Sequence, residues 1–143
     1  MTWKLVNRLT YFARGIWVRK NLAHWITLIM VFVNIGLGLA ILIGGPDRFT
    51  RPTYNPLIEY TLNHTYIWGV LIVIAAFLMF CKKRWASITG LWISMVWHIV
   101  WMAAFLLAAL HYPNSAVTPI PAYCGFALIS AALLTARVIE DEE

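Results

Sequence analysis

Charged side chains fall in blocks along this chain, and four long stretches between them contain no Asp, Glu, Lys or Arg. They are residues 24–43, 64–81, 86–110 and 119–136. A helix needs about 20 apolar residues to cross a hydrocarbon core of about 30 Å. Backbone groups in lipid must be bonded within the chain, so such runs are helices and not open strands. The second and fourth stretches are short for a crossing, and the third is long enough to tilt. The pattern predicts an all-α membrane protein with four transmembrane helices in a domain spanning residues 24–136.

The first 20 residues follow a different rhythm. Leu5, Leu9, Phe12 and Ile16 recur at helical spacing, while Lys4, Arg8 and Arg19 fall on the other side. This predicts a basic amphipathic helix lying on the membrane surface. Gly44, Gly45 and Pro46 should stop the first spanning helix. The segment up to Asn63 is the one sizeable connection, with Tyr54 and Tyr60, followed by Tyr66, suited to headgroup level. Pro119 and Pro121 suit the first turn of the last helix. Residues 137–143, RVIEDEE, form an acidic tail.

Composition turns this pattern into a class. The chain has 143 residues, a length for one domain. It is 62% hydrophobic and 12% charged, against about 45–50% and about 25% in ordinary soluble domains. Mean hydropathy is +0.74. Charge then orients the chain. Lys4, Arg8, Arg14, Arg19, Lys20, Lys82, Lys83, Arg84 and Arg137 fall on one side of the four-span arrangement, and only Arg48 and Arg51 on the other. Basic residues collect on the cytoplasmic side, so both termini are expected there. The net charge of +5 then reflects topology and an anionic leaflet, not nucleic-acid binding. The first span is expected to stay as an uncleaved anchor.

Candidate chemistry is sparse and centres on His98, in the apolar run SMVWHIVWMA. Ala86, Gly90, Ser94 and His98 recur every four residues and share a helix face. Gly36, Ala40 and Gly44 form a similar row in the first span. Rows of small residues are where membrane helices touch. Asn34 and His98 fall at similar depth, and each can donate and accept a hydrogen bond. A bond between them across the seam is expected, worth about 0.6 to 2 kcal/mol. Trp97 and Trp101, one turn apart, lie too deep for an interfacial belt. They offer a flat surface for packing within the bundle or between copies.

Other chemistries lack a part. A haem held by two histidines needs a partner for His98 at its own depth, and there is none; His64 and His111 both lie near the outer face and could be axial ligands, although interfacial histidines beside Tyr66 and Tyr112 more often contact headgroups. Ion-coupled transport normally uses an intramembrane carboxylate. Ser94 and His98 have no carboxylate or oxyanion device beside them, so hydrolysis is not inferred. Cys81 and Cys124 are placed at opposite ends of the spans, beyond disulfide reach. No catalytic set, cofactor or metal site is expected.

The stretches MTWKLVNRLTYFARGIWVRK, GLGLAILIGGPDRFTRPTYNPL and YIWGVLIV carry a resemblance. A span ends in a Gly pair, a short Arg-aromatic, Pro-containing loop follows, and a Trp-Gly step enters the next span. This resembles the small four-span, holin-like membrane proteins of actinobacterial phage lysis cassettes, over roughly residues 20–80. The second half, with His98, has no counterpart in that pattern. The resemblance implies a protein of the bacterial inner membrane that self-associates and permeabilises or depolarises it for lysis. A non-catalytic subunit or adaptor of a membrane complex, binding another phage or host membrane protein, would share these features. A small transporter is the third reading.

Overall fold

The computed structural model describes residues 2–44, 64, 66–111 and 119–139, with side chains from Asn21 to Val138 within those segments. Those residues form four helices and no strand: α1 (Thr2–Gly44), α2 (Tyr66–Phe80), α3 (Arg84–His111) and α4 (Pro119–Ile139). Arg48, Arg51, Tyr54, Tyr60 and the acidic residues at 140–143 lie outside the described residues. So do the side chains of Lys4, Arg8, Arg14, Arg19 and Lys20.

Each helix packs antiparallel against its neighbour in sequence, and α1 meets α4 more lightly. Three helices are long and apolar enough to cross a membrane: α1 over Asn21–Gly44, α3 over Arg84–His111 and α4 over Pro119–Val138. The architecture is that of an all-helical protein, consistent with a membrane location. α2 is equally apolar but has 15 residues, fewer than the run at 64–81 led one to expect. Its first turn is closed by Ile67 N–H donating to His64 O at 3.1 Å. Its last is tightened by Cys81 N–H donating to Leu78 O at 3.2 Å. Ser87 N–H donates to Lys83 O at 3.1 Å, so α3 begins within the basic stretch Lys82-Lys83-Arg84, with Arg84 as its first residue.

The boundary expected after residue 20 has no counterpart in the backbone. α1 runs unbroken through it, because Lys20-Asn21-Leu22-Ala23 contains neither Gly nor Pro to interrupt a helix begun upstream.

Apolar side chains cover the outside. Phe32 is 72% exposed, Phe77 63% and Leu128 66%. Water would not tolerate such a surface; hydrocarbon does. Inside, two apolar clusters stack along the bundle. One, towards the basic turn, is built on Met30, Val31, Ala76, Met79, Leu91 and Leu133. The other, towards the opposite end, is built on Ile72, Ala75, Trp97, Trp101, Ala104 and Phe105. Trp97 and Trp101 are buried and stacked, with ring centroids 4.9 Å apart. They therefore pack within the bundle and offer no surface to a second copy.

The close helix crossings are made by glycines, but not all the expected ones. A Cβ on Gly90 would sit 2.6 Å from Met79 N and 2.7 Å from Ala75 O, so α3 rests on the backbone of α2 there. α1 meets α2 at Gly38 and Gly69, where a Cβ on Gly38 would lie 2.9 Å from Gly69 O and one on Gly69 would lie 3.0 Å from Gly38 O. Gly36 is exposed, with nothing within 4 Å of a Cβ, and Ala40 and Gly44 are only partly covered. The expected row Gly36-Ala40-Gly44 is thus not the contact. Asn34 faces the core, and its face recurs at Gly38, four residues on; Gly36 points well away from it.

Candidate functional site

Between the two apolar clusters lies a layer of polar side chains with no exposed surface: Asn34 from α1, Ser94 and His98 from α3, and Ser130 from α4. The helices bring them together because each sits on its helix's inward face, one or two turns from a close crossing. Asn34 Nδ2 donates to Ser94 Oγ at 2.9 Å and reaches Met79 Sδ of α2 at 3.5 Å. Ser94 Oγ is 3.2 Å from Ser130 Oγ. Ser94 is therefore the hub: it accepts from α1 and has its own hydroxyl proton available for α4.

The expected bond between Asn34 and His98 is not the one made. Both residues are in the layer, but Ser94 stands between them. His98 is turned back along its own helix, with Nδ1 2.7 Å from Ser94 O. A carbonyl only accepts, so Nδ1 carries a proton, and in the neutral ring Nε2 is then a bare lone-pair nitrogen. Nε2 and Asn34 Oδ1 are buried without a hydrogen-bond partner among the described residues. The ring is enclosed by Trp97, Tyr123 and Phe126, with centroids 5.2, 5.9 and 5.3 Å away.

This geometry bears on the chemistry of the Ser94–His98 pair. Ser94 Oγ lies 3.5 Å from His98 Nδ1, but that nitrogen already holds a proton and donates it to a carbonyl. In this arrangement it cannot act as a general base towards the hydroxyl. His64 is exposed beside Tyr66, and His111 is exposed at the end of α3, its Nδ1 donating to Leu107 O at 2.8 Å. Among the described residues no group of three or more His, Cys, Asp or Glu is placed to hold a metal ion. Cys81 is exposed beside the basic turn, and Cys124 is partly covered in the first turns of α4.

Of the expected site residues, Asn34, Gly90, Ser94, His98, Trp97 and Trp101 are buried, and Ala86 is partly so. Lys82, Lys83 and Arg84 are exposed at one end of the bundle, the end at which Arg137 lies. Ser130, Met79, Gly38 and Gly69 were not singled out by sequence. Ser130 could have been found as the one hydroxyl near the middle of the last span; nothing marked Met79.

A further polar contact ties α2 to α3. Trp97 Nε1 donates to Trp68 O at 2.8 Å. Trp97→Phe removes it and should cost about 0.5–1.5 kcal/mol, plus some stacking with Trp101. Thermal unfolding in detergent checks this; an unchanged midpoint would mean that the bond adds no stability.

No protein-family model, no curated protein and no solved structure matches this chain.

Proposed function

We propose that this chain is a four-span, holin-like protein that self-associates in a bacterial inner membrane and permeabilises or depolarises it. All four helices cross, with both termini on the cytoplasmic side, and residues 2–20 mark that side with basic charge. The observation that supports this most is the combination of an apolar exterior with a neutral polar layer shared by three helices. The exterior suits lipid and further copies. The layer gives the bundle an interior that tolerates water better than a wholly apolar one, as a membrane-opening protein requires. The exposed basic turn at Lys82–Arg84 and Arg137 at the same end support the orientation.

Two measurements test the reading. Reporter fusions after Glu143 and within residues 113–118 should report opposite compartments; agreement between them would overturn the topology. The purified full chain, reconstituted into dye-loaded vesicles containing phosphatidylglycerol, should release the dye, more steeply than in proportion to the protein added. Vesicles that stay tight, with the chain copurifying with another membrane protein, would support a subunit or adaptor instead.

A further inference from the structure

α2 is too short for the membrane that the other helices fit. At 1.5 Å per residue its 15 residues extend about 22 Å, against about 36 Å for the apolar part of α1, about 42 Å for α3 and about 30 Å for the apolar part of α4. Its apolar face is bounded at both ends. Lys82, Lys83 and Arg84 follow one residue after it, and exposed His64 precedes it. That face looks outward: Val70, Ile74 and Phe77 are 40%, 45% and 63% exposed.

A short span can meet a bilayer of about 30 Å by shifting its neighbours, by snorkelling flanking residues or by thinning the lipid around it. Moving independently is closed to α2. It is held against α1 where Gly38 and Gly69 meet backbone to backbone, and against α3 where Gly90 sits on Ala75 and Met79. The Trp97 Nε1 bond to Trp68 O pins its other end. The lysines and arginine can reach outward at one end; at the other, the described flanking residue His64 carries only a short side chain.

We propose that the outward face of α2 is a site for short-chain phospholipid, a strip along which the bilayer is locally thinned. This rests on the four-span reading and adds to it a place where the membrane is weakest. The expected occupant is lipid hydrocarbon matched to about 22 Å, not a second copy.

The test compares two lipid-facing positions near the polar layer. Ile74 on α2 and Leu128 on α4 are both exposed and lie near the middle of their helices. Full-length I74C and L128C, with Cys81 and Cys124 replaced by Ser, are labelled with a fluorophore and reconstituted into vesicles of mixed short-chain and long-chain phosphatidylcholine and phosphatidylglycerol. Either the short or the long species is brominated to quench. Short-chain lipid should be enriched at Ile74 over Leu128 by about two- to fivefold. Inserting Leu-Ala-Leu-Val between Thr65 and Tyr66 lengthens α2 by about 6 Å without changing the register of its packed part, and should abolish the enrichment. Should that variant fail to fold, the comparison in the unextended chain decides alone. Equal quenching at both positions overturns the proposal. So does no quenching at Ile74 by either species, which would place a second copy on the face. Dye release is read on the same vesicles: leakage without enrichment overturns this inference and leaves the permeabilising function standing, whereas enrichment without leakage does the reverse.

Discussion

Gly90→Ala lowers the stability of the bundle by about 1–3 kcal/mol. Alanine normally improves a helix relative to glycine, by up to about 1 kcal/mol, so the expected sign is set by the crossing and not by propensity. The added methyl would lie 2.6 Å from Met79 N and 2.7 Å from Ala75 O. Both are main-chain atoms of α2 and cannot rotate aside; the helices must separate, and every contact along α2–α3 loosens with them. Gly36→Ala is the matched control, because nothing lies within 4 Å of its new methyl. It should be neutral or slightly stabilising. Unfolding of the purified chain in mixed micelles with rising SDS measures both. Equal stability of the Gly90 and Gly36 variants would show that the helices do not approach as closely as described.

Ser94→Ala should cost about 1–2 kcal/mol, a large loss for one oxygen atom. The hydroxyl serves Asn34 and Ser130 together, and its removal leaves Asn34 Nδ2 with only the Met79 sulfur at 3.5 Å, a weak acceptor. Asn34→Leu removes the stranded amide instead. The double variant Asn34→Leu/Ser94→Ala should therefore lose less than the two singles together, with a coupling of about 0.5 kcal/mol or more. Strict additivity in the same SDS titration would mean that the two side chains do not share a bond.

Much of this layer was legible in the sequence. The row Gly90, Ser94 and His98 follows from helical spacing alone, since an i+4 row stays on one face whatever the partners. Asn34 was legible as a polar residue at the matching depth. What spacing does not contain is the rotation of one helix against another. Gly36 and Gly38 are equally small, and only the helix packed against them decides that Gly38 is used. Nor does spacing fix a side chain's torsions. His98 satisfies a carbonyl of its own helix and so turns away from Asn34, leaving Ser94 to make the cross-helix bond. The unbroken α1 has a similar cause: the shift from basic amphipathic to apolar sequence at residue 20 changes the environment of the helix without supplying a residue that ends it.

The light contact between α1 and α4 has a consequence for how the chain assembles. Among the described helices, every extensive interface joins neighbours in sequence, so each can form as soon as the second member of the pair has been synthesised. The bond from Asn34 to Ser94 is different: it spans 60 residues and skips a helix. It must wait for α3, and Ser130 joins only with α4. The nascent chain therefore carries Asn34 with only the Met79 sulfur of α2, a weak acceptor, within reach until the third helix arrives.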